Sequence, residues 1–203
     1  MRLIAERLAA VRGGEQVFRR VDFALEDGGS LVVTGPNGSG KSTLLQVLCG
    51  LLPAASGKVR VEGGLADTGV AASCHYLGHD NAMKTSLTVT ENLRFWQRFL
   101  GSPALGLAEA LEAVGLGGIG HLPFAYLSTG QRRRAAIARL LISHRPIWLL
   151  DEPTAGLDAA SEGIFAGLMN AHLRAGGILV AATHLPLGVE GAQSLSLGAI
   201  GNG

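Results

Sequence analysis

No other eight residues constrain this chain as tightly as Gly35-Pro36-Asn37-Gly38-Ser39-Gly40-Lys41-Ser42. They meet every fixed position of G-x-x-x-x-G-K-[ST]. They also lie where that pattern needs to lie, between a short apolar run at 30–34 and a Leu-rich stretch that reads as a helix over about 40–51. Glycines permit the backbone to aim successive N–H groups at one anion, and the helix start behind them adds a favourable dipole. The expected ligand is ATP with Mg²⁺. Gly35, Pro36, Asn37, Gly38, Ser39, Gly40, Lys41, Ser42 and Thr43 are expected around the phosphates, with Lys41 as a point charge on the terminal ones and the Ser42 hydroxyl on the metal.

A second feature supplies the chemistry. The apolar run Ile147-Trp148-Leu149-Leu150 ends in Asp151-Glu152. A carboxylate at the strand tip is placed to hold Mg²⁺ through water, which assigns Asp151 to the metal. Its neighbour Glu152 points elsewhere and is the expected catalytic carboxylate, polarising a water for attack on the γ-phosphorus.

The rest of the pattern predicts an α/β fold. The chain opens with strands broken at Gly13-Gly14, an antiparallel β subdomain. The helix after the glycine loop is expected to be closed by Pro53 and Ser56-Gly57, and 58–62 alternates as a strand. From Ala82 to about Gly118 the spacing turns helical, and further helices are predicted over 128–143 and 159–174, with a last buried strand at 178–182. Apolar strands each followed by a helix imply a mostly parallel sheet with functional residues at the strands' C-terminal ends. The 203 residues suit one domain, 1–203, with an inserted helical subdomain at about 82–143.

Composition excludes several classes. A net charge of +1 offers no electrostatic footprint for nucleic acid. No run approaches the roughly 18 apolar residues of a membrane span. The charged opening Met1-Arg2-Leu3-Ile4-Ala5-Glu6-Arg7 does not read as a signal peptide, so a cytoplasmic location is expected. The 47% hydrophobic content is high for a solvated monomer; partner-covered apolar surface and a proteome rich in Ala, Leu and Gly both account for it. Cys49 and Cys74 have no metal-ligand spacing and are expected to be unpaired, Cys49 as a core residue.

Leu127-Ser128-Thr129-Gly130-Gln131, followed by Arg132-Arg133-Arg134, resembles the L-S-G-G-Q signature of ABC ATPases, with Thr129 in place of the usual glycine. Glu152-Pro153-Thr154-Ala155-Gly156-Leu157-Asp158 resembles the same family's acidic strand end and D-loop, and Thr183-His184 its switch histidine. The order of motifs matches over most of the chain. The resemblance implies a P-loop NTPase of ABC ATPase type that works as a homodimer. In such a dimer Ser128, Thr129, Gly130 and Gln131 contact the γ-phosphate of ATP held by the opposite copy, and Asp158 lies at the seam. His184 would contact the γ-phosphate and orient Glu152, making Glu152, His184 and Lys41 the catalytic set. Two positions depart from the family. His79 stands where a metal-sensing glutamine is usual, and nitrogen is a poor Mg²⁺ ligand. No tyrosine stands where adenine is usually stacked; Arg12, whose planar face can stack on a base, is the nearest substitute, with Phe18 as another.

The segment Gly78-His79-Asp80-Asn81-Ala82-Met83-Lys84 and the run Ala182-Thr183-His184-Leu185-Pro186-Leu187 are similar to the haem-exporter ATP-binding subunits of bacterial cytochrome c maturation, the CcmA family. That resemblance implies integral membrane partners of CcmB-like and CcmC-like type and a peripheral place on the cytoplasmic face of the inner membrane. Its implied work is haem export, or ATP-driven release of a haem-loaded chaperone. Met83, Leu87, Phe95 and Trp96 are read either as a dock for a membrane subunit's coupling helix or as packing within the helical subdomain. An ABC subunit for another small cargo stays open on these residues. A non-transport ABC ATPase lacks its usual coiled coils or basic insertions here, and a P-loop kinase or isolated switch would have no use for the signature.

Overall fold

Gly13 and Gly14, at φ 60° and 85°, fold the N-terminal segment back on itself. They join β1 (Arg2–Arg12) and β2 (Glu15–Glu26) as an antiparallel hairpin in this computed structural model, which describes residues 1–63 and 69–198. β4 (Ser56–Glu62) pairs antiparallel with the other edge of β1, giving the order β2-β1-β4. Pairing shifts on both sides of Arg7, which sits at φ 47° in a β-bulge. Gly57 faces that bulge: at φ 84°, a Cβ there would stand 2.3 Å from the Glu6 carbonyl oxygen and 2.4 Å from that of Arg7.

The second sheet is wholly parallel. It comprises β3 (Ser30–Thr34), β5 (Cys74–Leu77), β6 (Ile147–Asp151), β7 (Ile178–Ala182) and β8 (Gln193–Ser196), in the order β5-β6-β7-β3-β8. Every residue of β6 and β7 is buried, as continuous apolar strands in a covered sheet require. α1 (Lys41–Leu48) follows β3 and packs on β1, β6 and β7. One core joins both sheets and this helix, through residues such as Leu3, Leu8, Val33, Leu45, Leu149 and Val180. Cys49 and Cys74 are both buried in it, and no disulfide forms among the described residues.

α1 ends earlier than its composition predicts. Gly50, at φ 76°, donates its N–H to the Val47 carbonyl, and Leu51 N–H reaches back to Gln46 at 2.9 Å. This paired closure ends the helix before Pro53, and Ser56-Gly57 belong instead to β4. A short helix, α2 (Gly69–Ser73), precedes β5.

The chain divides into two compact units, one of Met1–Gly78, Pro146–Pro153 and the chain from Met169, the other of His79–Arg145 and Thr154–Leu168. The second unit contains α3 (Val89–Leu100), α4 (Leu107–Ala113), a 3₁₀ turn at Phe124–Tyr126, and α5 (Thr129–Leu141), on which α3 and α4 pack. The helical stretch predicted from Ala82 to about Gly118 is two helices. Thr88 and Glu91 form a capping box that starts α3, Gly101 at φ 69° stops it, and Glu109 accepts from Gly106 N–H at the head of α4. α6 (Ala159–Arg174), whose residues divide between the units, is capped by Asp158, which accepts from Ser161 N–H at 2.8 Å. No helix among the described residues is long and apolar enough to cross a membrane.

Gly57→Ala places a Cβ against two backbone carbonyls at a positive φ, so it is expected to destabilise the protein by more than about 1 kcal/mol. A urea melt of the variant beside the wild type measures this directly.

Candidate nucleotide-binding site

The register of the parallel sheet assembles this site. Val33 on β3 lies opposite Ala182 on β7, and Ala182 lies opposite Asp151 on β6. Two bonds carry the alignment past the strands, from Thr183 N–H to the Val33 carbonyl at 3.2 Å and from Glu152 N–H to the Ala182 carbonyl at 2.9 Å. The glycine loop, the Asp151-Glu152 pair and Thr183-His184 therefore leave the sheet at one level, at the C-terminal edge where open α/β sheets bind ligands.

Within the loop, Gly35, Gly38 and Gly40 take φ values of 141°, 81° and 93°. A Cβ on Gly35 would stand 2.3 Å from the Leu197 carbonyl oxygen, and one on Gly40 would stand 2.4 Å from Val17 Cγ1, so no larger residue fits at either place. Lys41 is buried and donates from Nζ to the carbonyls of Gly35 at 2.8 Å and Pro36 at 3.1 Å. This holds the ammonium inside the curl of the loop. Among the described residues the buried Ser39 hydroxyl has no partner, and α1 has no acidic residue in its first turn to compete for its positive end. An orphaned donor, a lysine and a free helix N-terminus suit an oligophosphate.

Asp151 is buried, and the Tyr76 hydroxyl donates toward its Oδ2 at 3.5 Å. Burial, reinforced by the Asp151 charge, pushes the Tyr76 phenol up to about 12, so it remains a neutral donor. Tyr76 was not singled out from sequence: its four-residue strand is too short to register as an element, so nothing indicated that it runs beside β6. Glu152 sits at φ 41°, a left-handed conformation that non-glycine residues rarely adopt and that redirects its side chain from the line of Asp151. Its Oε1 lies 3.4 Å from Nδ1 of His184, an exposed side chain just beyond β7.

The phosphate loop and the acid pair open on a cleft of about 440 Å³ whose lining includes Arg12, Val17, Lys41, Ser42, Asp151 and Glu152. Phe18, the alternative base-stacking residue, is corrected: it is 3% exposed and packs in the core, while Val17 before it lines the cleft. Strand alternation turns these neighbours to opposite faces. Ser42 and Asp151 offer the oxygen donors that Mg²⁺ takes. Among the described residues no group of three or more His, Cys, Asp or Glu is placed to hold a metal ion.

The remaining predicted residues belong to the second unit. His79 is exposed immediately after β5. Ser128 caps α5: its Oγ accepts from Gln131 N–H at 3.2 Å, and Gln131 Oε1 accepts from Ser128 N–H at 2.9 Å. Thr129 is the first helical residue, and it leans on Gly156, where a Cβ would stand 3.3 Å from Thr129 Cγ2. A Cβ on Gly130 would stand 3.1 Å from the Gly156 carbonyl oxygen, so the tip of α5 lies close against the loop that leads to Asp158.

Comparison with known proteins agrees with this geometry. The family described as ABC transporter matches residues 18–155. The cytochrome c biogenesis ATP-binding export protein CcmA of Mesorhizobium japonicum is 66% identical over 202 residues, covering 99% of this chain and 100% of its own. Its namesake in Chelativorans is 64% identical, covering 98% and 99%. Among solved structures, a putative ABC transporter ATP-binding protein of Pyrococcus furiosus superposes with a TM-score of 0.82 at 22% identity, over 97% of this chain and 98% of that one. A dimeric ATP-binding cassette bound to ADP and Pi superposes with a TM-score of 0.77 at 25% identity, covering 90% and 88%. The architecture is that of an ABC ATPase, as the motif order implied.

The capping box generates a stability prediction. Ser128→Ala should destabilise the protein by about 1 kcal/mol, while Ser128→Thr, which keeps the cap, should cost much less. Thermal unfolding of the two variants distinguishes them.

Proposed function

The chain belongs to the ABC transporter family, among the cytochrome c biogenesis ATP-binding export proteins, and from that premise we propose that it hydrolyses ATP to drive a membrane complex serving haem delivery. The observation that carries the reading is the level exit of three motifs from the parallel sheet, with the phosphate loop, the buried Asp151 and Glu152 lining one cleft and His184 lying against Glu152.

In this reading the loop amides and Lys41 bind the β- and γ-phosphates, Lys41 exchanging its Gly35 and Pro36 carbonyls for phosphate oxygens. Ser42 and Asp151 would hold Mg²⁺, which supplies charge neutralisation on the phosphates when bound. Glu152 takes a proton from water as the water oxygen bonds to the γ-phosphorus. The bond to the bridging oxygen breaks, its electron pair leaves on ADP, and inorganic phosphate departs. His184 positions Glu152 and donates to the γ-phosphate. Ser128, Thr129, Gly130 and Gln131 of a second copy close over that phosphate, with Asp158 at the seam, so nucleotide binding draws two copies together and hydrolysis releases them.

Motion of that dimer is useful only if it pulls on something. The second unit carries an apolar cleft of about 250 Å³ formed by Ala82, Met83, Lys84, Leu87, Phe95 and Trp96. The Trp96 indole donates to the Ala82 carbonyl at 2.8 Å, which fixes one wall, and Phe95 is 53% exposed. We assign this cleft to a helix of a CcmB-like membrane subunit, in a complex with a CcmC-like haem-handling protein at the cytoplasmic face of the inner membrane. The close relatives are named for cytochrome c biogenesis and export, and because a cytochrome c carries haem, we favour haem over another cargo.

Lys41→Ala should lose tight ATP binding. Glu152→Gln should bind ATP, fall in hydrolysis by about a hundredfold or more, and accumulate as a dimer. Nucleotide-dependent size-exclusion chromatography together with phosphate release tests both, and normal turnover by Glu152→Gln would refute its catalytic assignment.

A further inference from the structure

Resting on the reading of Ser42 and Asp151 as the Mg²⁺ residues, we propose that Tyr76 is the residue that positions them. Its hydroxyl joins the acidic strand tip to the helix behind the phosphate loop, and so sets how the two oxygen donors face each other.

Tyr76 pairs with Leu149, two residues short of Asp151, so a side chain standing square to β5 would not reach the strand tip. The ring leans forward instead. A Cβ on Gly78 would stand 2.9 Å from Tyr76 Cε1 and 3.2 Å from both Cζ and the hydroxyl oxygen, which places the ring over the backbone at Gly78. Two residues of strand are roughly 6.6 Å, a gap that a phenol laid along the strand spans. Gly78 supplies the space for this lean, since any side chain there would displace the ring.

The hydroxyl arrives between two partners. It donates toward Asp151 Oδ2 at 3.5 Å, and the Gln46 side chain hydrogen-bonds the same phenol. A phenol has one O–H to give and an oxygen that accepts, whereas an ionised carboxylate only accepts. Gln46 therefore donates from its amide to the phenol oxygen, and the phenol proton goes to Asp151. Gln46 stands on α1 one turn beyond Ser42, on the same face of the helix. The relay thus runs from the face of α1 that carries Ser42 to the strand tip that carries Asp151.

A neutral donor suits this task. Asp151 is buried, and a buried carboxylate needs donors to satisfy it and hold its plane. A lysine or arginine would supply them but would also offset the charge that a dication requires. A phenol orients the carboxylate and leaves its charge in place. Outer groups that orient metal-binding side chains tune metal affinity in this way.

The test compares Tyr76→Phe, which keeps the ring over Gly78 and removes only the hydroxyl, with the wild type and with Asp151→Asn. All are full chains carrying Glu152→Gln to suppress hydrolysis, and thermal melts check that each folds. Binding of a fluorescent ATP analogue is titrated in EDTA and again in excess Mg²⁺, and the ratio of the two affinities reports the metal's contribution. Tyr76→Phe is expected to leave the EDTA affinity within about twofold of the wild type and to lose roughly three- to tenfold of the tightening that Mg²⁺ gives. Tightening retained to within about twofold, or an equal loss with and without Mg²⁺, overturns the proposal, the second result making Tyr76 a packing residue only. Loss of tightening in Asp151→Asn alone would overturn the role of Tyr76 and leave the metal reading of Asp151 standing, whereas a wild type that Mg²⁺ does not tighten would remove both.

Discussion

The site depends on one alignment, Val33 to Ala182 to Asp151 across three parallel strands. Parallel pairing is set by the burial of both strand faces, and β6 and β7 have no polar face on which to slip, for a shift of one residue would exchange their two sets of buried side chains. The apolar content of these strands thus has a chemical consequence. It locks the height at which Gly35, Glu152 and Thr183 leave the sheet, and so fixes where anion-binding amides stand relative to the carboxylates. Hydrophobic burial specifies the geometry, and the polar residues inherit it.

Around this edge the local structure is held in conformations that need support. Three loop glycines have positive φ, and so does Glu152, whose side chain gains nothing from that conformation by itself. Its backbone N–H is nonetheless bonded to Ala182, and its carboxylate meets His184, so sheet and histidine together stabilise the turn. Lys41 is held similarly. Bonded to Gly35 and Pro36 carbonyls, its ammonium is fixed inside the loop, an arrangement that would reduce the ordering needed for the proposed phosphate binding.

Much of this was legible because the motifs are covalent neighbours of strong elements. The run into Gly35, the pair after Leu150 and the histidine after Ala182 each follow an apolar strand whose burial the composition signals. Legibility failed where tertiary context decides. β8 (Gln193–Ser196) has no apolar run and is a strand only because β3 pairs with it, yet the Leu197 carbonyl just beyond it excludes any side chain from Gly35. Tyr76 meets Asp151 from a strand 75 residues away. The end of α1 was misplaced because Gly50 acts through a left-handed closure that a spacing argument centred on Pro53 does not weigh. Phe18 and Val17 show the finest limit: adjacent residues of β2 face opposite ways, and the bulged register that settles which one faces the cleft is visible only in the pairing.

The signature segment raises a question of competing use, since Ser128 is both the cap of α5 and the proposed donor to a second copy's phosphate. The hydroxyl inventory resolves it. In the cap Ser128 Oγ accepts from Gln131 N–H, which occupies a lone pair and leaves the O–H proton free to donate outward. Gln131 is arranged reciprocally: its Oε1 accepts from Ser128 N–H, and its amide nitrogen remains a donor. A capping box therefore consumes acceptors and spares donors, and an anion requires donors. The same bonds fix the Ser128 and Gln131 side chains at the positive end of α5, so the arrangement that satisfies the helix's own N–H groups also readies its tip for a negatively charged ligand. Thr129 in place of glycine does not disturb this, because its side chain is taken up against Gly156 rather than turned into the cap.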